Sequence, residues 1–208
     1  KCFEYFNDIW QARQAASTPG EDLISFLAHG EATKHMAPNE FLGNVLLLIV
    51  GGNDTTRNSI SAGVQALNRF PEEYDKLKGN VSLIPNMVSE IVRWQSPVAH
   101  MCRTAMADVE IGGQQIRKMD KLAIWYLSGN RDESHFADAN RLIIDRPNVR
   151  QHLAFGYGIH RCLGNRLAEM QLKILWEEIM ARFSHVEVVG DPSYLNSSFI
   201  RGITALPV

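Results

Sequence analysis

Phe155-Gly156-Tyr157-Gly158-Ile159-His160-Arg161-Cys162-Leu163-Gly164 is the stretch on which the reading of this chain turns. Its glycines let a loop adopt turns that side chains forbid and bring backbone close to a flat ligand. The cysteine stands just before a segment with helical periodicity. There it meets partial positive charge and free backbone N–H groups, which favour its thiolate. Such a thiolate is a good axial ligand for a haem iron. A lone cysteine is more often a small buried residue without chemistry, and the glycine pattern around Cys162 is what that plainer reading leaves unexplained.

Downstream of Gly164, the residues Ala168, Leu172, Leu175, Trp176, Ile179 and Phe183 recur at helical spacing and predict one apolar face. The tail, 186–208, reads as short strands and turns. Upstream, 130–153 is polar, irregular and rich in Asn, Asp and Arg. Before it come strand patterns at 98–105, 109–111, a Gly112-Gly113 turn with a return through Ile116, and 122–125. Helices are predicted at 3–16, 22–28, from Pro71 and at 85–94, with Pro71 suited to a first helical position.

No proline interrupts 38–69, which predicts one helix of unusual length. Its middle reads Gly51-Gly52-Asn53-Asp54-Thr55-Thr56. Each glycine costs about 1 kcal/mol relative to alanine inside a helix, and Asp and Thr compete for backbone hydrogen bonds. Such a run predicts a local distortion serving close approach of a large ligand.

Hydrophobic residues make up 45% of the chain and charged residues 21%, the balance of an ordinary globular protein. A formal net charge of −2 lacks the basic excess of a nucleic-acid binder. Cys2, Cys102 and Cys162 are too few and too scattered for a disulfide framework, and no CxxC or HExxH zinc spacing occurs. The chain opens on Lys1 with no signal-peptide pattern, and its longest apolar run, 41–50, falls short of the roughly 20 residues a bilayer span needs. These features point to a soluble, cytoplasmic protein with no membrane and no nucleic-acid partner.

Four ordered motifs carry a family resemblance. The cysteine loop resembles the haem-binding loop of the cytochromes P450, of form FxxGxxxCxG. Gly51 to Thr56 looks like that family's oxygen-binding helix, Glu90-Ile91-Val92-Arg93 like its ExxR helix, and Asn130-Arg131-Asp132 like its NRD segment. The resemblance spans the whole chain and implies a fold that is mainly α with small β-sheets, the C-terminal half of one P450 domain over 1–208. It implies haem b as cofactor, O2 as cosubstrate and Cys162 as the metal ligand, with Gly156 and Gly164 shaping its loop and Phe155 packing against the macrocycle. Arg103 and His160 would hold the haem propionates. His100 is a further candidate, which an ordinary core or surface histidine explains equally well.

Within that resemblance, Asp54 and Thr55 form an acid–alcohol pair for proton delivery, with Gly51 leaving room for oxygen. Glu90 and Arg93, three residues apart on one helix face, can pair, and Arg146 is the candidate third member of a buried ion network. A surface pair of little energetic weight is the alternative. Arg161, Arg166 and Lys173 would make a basic face for an acidic electron carrier, though a solvated face of mixed sign accounts for the same residues. The runs at 46–59, 94–101 and 158–169 resemble the soluble bacterial subfamily that hydroxylates alkanes and fatty acids at the terminal carbon. A small apolar substrate bordered by Leu47, Leu48, Val98 and Ala99 follows from that resemblance, with electrons from NADH through a reductase and an iron–sulfur ferredoxin. Cys102 stands where a second arginine is expected beside Arg103. A haem-thiolate peroxygenase or a haem-binding sensor without turnover would keep Cys162 but not need Asp54 and Thr55.

Overall fold

The computed structural model describes residues Lys1–Val208, which form two compact units, Lys1–Asn53 and Asp54–Val208. Seven α-helices and three two-stranded antiparallel sheets make up the chain. In the first unit, α1 (Cys2–Ala15) packs on α2 (Leu23–His29). Asp22 caps α2 by accepting the Ser25 N–H at 2.9 Å, and Gly30 ends it. The small core of this unit gathers Trp10, Ala28, Phe41 and Val45, with the rings of Trp10 and Phe41 4.4 Å apart.

Helix α3 (Pro38–Arg69) runs unbroken, and the boundary between the units falls inside it. The distortion expected at 51–56 is absent from its helical path. Within the run, the Asp54 carboxylate bonds the Arg57 guanidinium at 3.2 Å and so does not compete for the backbone; elsewhere along α3, polar side chains bond back to carbonyls one turn earlier. Ser59 Oγ donates to the Thr55 carbonyl at 2.8 Å, Asn44 Nδ2 to Glu40 and Asn68 Nδ2 to Val64, both at 2.9 Å. Bonds back to the i−4 carbonyl coexist with the helix instead of competing with it.

In the second unit, α4 (Pro71–Gly79) carries Glu72 and Glu73 in its first turn, where acids suit the helix dipole. A short 3-10 turn leads into α5 (Ile84–Gln95), nearly all of which is buried. Ser96, with φ +44°, ends α5 in the left-handed region and donates its hydroxyl to the Arg93 carbonyl at 2.8 Å. Strand β1 (His100–Thr104) pairs with β4 (Lys121–Trp125), setting His100 opposite Trp125 and Arg103 opposite Leu122. Between them β2 (Val109–Ile111) and β3 (Gln114–Ile116) form a hairpin on Gly112 and Gly113, both at positive φ.

After the single-turn α6 (Tyr126–Gly129) and the irregular segment to residue 164, α7 (Asn165–Arg182) packs on α5. Leu172 and Trp176 of α7 enter a core with Leu67, Leu77, Met87, Ile91, Leu142 and Ile144. Phe183 departs from the expected apolar face: it lies just past the helix end and is 55% exposed, because the helical periodicity no longer applies there. Strands β5 (Ser193–Tyr194) and β6 (Ile203–Ala205) close the chain. No helix is long and apolar enough to cross a membrane.

Candidate functional site

The cysteine loop is held by its own backbone. The Gly156 N–H donates to the Leu153 carbonyl and the Cys162 N–H to the Phe155 carbonyl, both at 2.8 Å. Gly156 sits at φ +69°, and a Cβ there would come within 3.3 Å of the Tyr126 hydroxyl oxygen. Backbone conformation and close approach therefore both demand glycine at this position. Gly164 is the cap residue of α7, its carbonyl accepting from the Ala168 N–H at 2.9 Å. Cys162 is thus presented at the entrance of an 18-residue helix, and its side chain is exposed.

The cysteine loop exposes large apolar side chains beside the polar His160 and Arg161. Ile159 and Leu163 are 100% and 94% exposed, and Tyr157 is exposed with them. Phe155 turns inward and packs on the core of the second unit. No cluster of three or more His, Cys, Asp or Glu side chains that could hold a metal ion forms in the chain. An exposed thiol in a loop that also exposes Ile159 and Leu163 suits a planar, mostly apolar macrocycle.

On β1, Arg103 donates from Nη1 to the Cys102 carbonyl at 2.9 Å and has no carboxylate partner. His100 packs edge-on to Trp125 with ring centres 4.5 Å apart, and its Nδ1 is buried without a hydrogen-bond partner. His160 is exposed in the cysteine loop. A free guanidinium and an orphaned imidazole nitrogen are groups that the acidic edge of a haem could satisfy. The donor set fits the cofactor that the sequence implies.

The ExxR residues are wholly buried and bonded. Glu90 Oε2 accepts from Arg93 Nε at 2.7 Å, and Glu90 Oε1 from Arg93 Nη2 at 2.8 Å. Arg146 Nε lies 3.2 Å from both carboxylate oxygens, and the Ile143 N–H adds a 2.9 Å bond. The surplus positive charge is met by carbonyls: Arg93 donates to those of Asn130, Ala139 and Arg141 at 2.6, 2.8 and 3.0 Å. Both guanidiniums also face the ring of Phe136.

The link from this network to the cysteine loop is Asn130, a fully buried residue whose individual role sequence reasoning missed. Its carbonyl accepts from Arg93, its Nδ2 donates to Ser96 Oγ at 2.8 Å, and its Oδ1 accepts from the Leu153 N–H at 2.7 Å. The NRD motif was the available signal, but the motif names a position and not a partner. His152 was also missed. Burial, and then the charges of Arg93, Arg161 and Arg150, push its pKa down to about 4, and its Nδ1 accepts from the Ala154 N–H at 3.2 Å.

His152 and Phe155 line a cleft of about 460 Å³ with Arg150, Arg161 and Arg166. Glu169 tempers that basic wall. Lys173 does not join it; it pairs with Glu177 one turn along α7, at 2.8 Å. On α3, Asp54 pairs with Arg57 at 3.2 Å, both about half exposed. An added Cβ at Gly51 or Gly52 would meet no atom within 4 Å. Among the residues expected to border a substrate, Ala99 is buried, Val98 and Leu48 are partly buried, and Leu47 is exposed.

The cytochrome P450 family model matches residues 1–204. The chain is 43% identical over 98% of its length to linalool 8-monooxygenase of Pseudomonas putida, covering 50% of that protein. It is 41% identical over 90% of its length to a methyl-branched lipid omega-hydroxylase of Mycobacterium bovis, covering 44% of that relative. Among solved structures it resembles CYP153D17 from a Sphingomonas species, with 53% identity and a TM-score of 0.93, covering 99% of this chain and 51% of that one. Cytochrome P450-153 from Novosphingobium aromaticivorans matches with 49% identity and the same TM-score, 0.93, over 99% of this chain and 51% of that one. The chain spans about half the length of the curated relatives it matches.

Proposed function

The chain belongs to the cytochrome P450 family, and we propose that the intact protein is a haem-thiolate monooxygenase hydroxylating the terminal carbon of medium-chain alkanes or fatty acids. The observation that carries this reading is the exposed thiol of Cys162, set at the head of α7 by a backbone-bonded glycine loop. Haem b bound there supplies O2 activation, aided by electron density from the thiolate. That chemistry would place one oxygen atom of O2 in the C–H bond and release the other as water, consuming two electrons and two protons.

Cys162 Sγ would hold the iron, and Arg103 and His160 would anchor the propionates, with His100 Nδ1 a further donor. The Glu90–Arg93–Arg146 network, through Asn130, keeps the cysteine loop in register. Asp54, open to solvent and held by Arg57, takes up protons at its carboxylate and passes them toward the Thr55 hydroxyl, beside which a water can be held. Electrons come from NADH through a flavin reductase and an acidic iron–sulfur ferredoxin, which docks at the cleft of Arg150, Arg161 and Arg166. The name of the omega-hydroxylase supports the terminal-carbon assignment.

The test is the absorption spectrum of the full-length protein, reduced and carbon-monoxide-bound. A strongly red-shifted Soret band, lost in Cys162→Ala, is expected; an unshifted band refutes thiolate ligation. Incubation with octane, octanoic acid and a bulky terpene separates the substrate classes. Oxidation of the terpene alone overturns the terminal-chain assignment and leaves the monooxygenase reading standing.

A further inference from the structure

A second cleft, of about 480 Å³, shares no residue with the one beside the cysteine loop. It opens where α3 and α5 end, against the β5–β6 hairpin, and its wall carries Arg69, Arg131 and Arg201 with no carboxylate. None of the three makes a salt bridge, whereas Arg13, Arg57, Arg93, Arg141, Arg146 and Arg182 all do. In a chain of net charge −2 this is a local reversal of sign, and a concave, partly desolvated wall focuses it.

The cost of that arrangement is visible at Arg131. Its guanidinium lies over the Trp94 ring at 5.3 Å, donates to the Trp94 carbonyl at 2.7 Å and to Asn140 Oδ1 at 2.9 Å, and leaves Nε buried without a partner. Burial, then the positive charges of Arg201, Arg93 and Arg69, lower its pKa to about 10. An anion in the cleft would relieve that repulsion.

The neutral groups in the wall point to an anion as well. Ser197 Oγ accepts from the N–H groups of Phe199 and Ile200, at 3.2 and 3.1 Å. The Tyr194 hydroxyl oxygen accepts from Gln65 Nε2. Each hydroxyl, already used as an acceptor, keeps its own hydrogen to donate elsewhere. Arg201 spends one N–H on the Gln95 carbonyl and keeps the rest of its fork. Guanidinium forks with added O–H donors match the several oxygens of a phosphate group. The cleft is larger than a bare phosphate needs, and Leu195 and Ile200 give its wall an apolar part.

We propose that this cleft binds a phosphate-bearing small molecule, its phosphate against Arg69 and Arg201 and within reach of the Ser197 and Tyr194 hydroxyls. The site is separate from the haem chemistry proposed above and does not depend on it. Occupying it would brace the 197–201 segment, whose backbone pairs with Pro97 and Ala99 just before β1 through bonds of 2.9 Å.

Calorimetric titration of the full-length holoprotein with inorganic phosphate and with pyrophosphate, at ionic strength held constant with chloride, tests this. One saturable site per chain is expected, with pyrophosphate the tighter ligand. Arg69→Gln, at an exposed side chain, should weaken binding at least about tenfold, the scale of one charge-assisted hydrogen bond. Ser197→Ala should weaken it by less, and Arg150→Gln, in the other cleft, should leave it unchanged. No saturable binding overturns the proposal, as does binding that Arg69→Gln leaves intact or that Arg150→Gln weakens equally. Melting temperatures close to that of the unsubstituted protein establish that the variants are folded.

Discussion

At the scale of single residues, His152 makes a prediction about acid stability. Its folded pKa of about 4 lies below the ordinary 6.5, so the unfolded chain binds its proton more readily. The sign follows: the contribution is complete above pH 6.5 and is lost as the pH falls from there toward 4. Its size is up to about 3 kcal/mol. His152→Asn keeps an acceptor for the Ala154 N–H and cannot titrate. Its urea-unfolding free energy should therefore fall less between pH 7 and pH 4.5 than that of the unsubstituted protein, and equal slopes would remove His152 as the cause. Thr55 gives a second prediction. If its hydroxyl serves proton delivery, Thr55→Ala should raise peroxide released per NADH consumed several-fold, while unchanged coupling would take Thr55 out of that role. Both residues are visible in sequence, but only one had a motif to announce it. The acid–alcohol pair has a recognisable spelling. His152 is defined by desolvation and by arginines from three separate segments, which no local pattern records.

At the scale of elements, the buried carboxylate of α5 is the point of greatest leverage. Glu90 is the one negative group between Arg93 and Arg146 and also accepts from the Ile143 backbone. Glu90→Gln should lower unfolding free energy by about 3–5 kcal/mol, since it leaves two buried guanidiniums unpaired. An unchanged denaturation midpoint would mean that the surrounding carbonyls suffice. Asn130→Ala probes the next link. It removes the acceptor of the Leu153 N–H and should cost about 1–3 kcal/mol. It should also speed haem loss from the holoprotein, an effect that a purely local destabilisation would not share with Glu90→Gln. Packing between α3, α5 and α7 adds a steric prediction. A Cβ at Gly63 would come within 2.9 Å of both Ile91 Cδ1 and Trp176 Cζ2. Gly63→Ala should therefore destabilise by about 1–3 kcal/mol in spite of alanine's better helix propensity.

At the scale of the whole molecule, charge is distributed against the average. The chain is slightly acidic, yet both clefts have arginine walls. If the first receives an acidic electron carrier, Arg166→Glu should slow ferredoxin-dependent reduction about tenfold at low salt and much less at high salt. A rate indifferent to ionic strength would place docking elsewhere. Element boundaries were largely legible beforehand: the proline-free run 38–69 is one helix, the Gly112-Gly113 turn joins two strands, and the cysteine loop opens α7. Local propensity, glycine's freedom and hydrophobic period act over a few residues, so a linear reading captures them. By itself the sequence determined the family, the helical class and the cysteine at the head of the last helix. The tertiary structure alone decided that Asn130 ties the ExxR pair to the cysteine loop, and that Arg69, Arg131 and Arg201 share one wall. Those outcomes depend on desolvation and on contacts between residues tens of positions apart, and neither quantity exists until the chain has closed on itself.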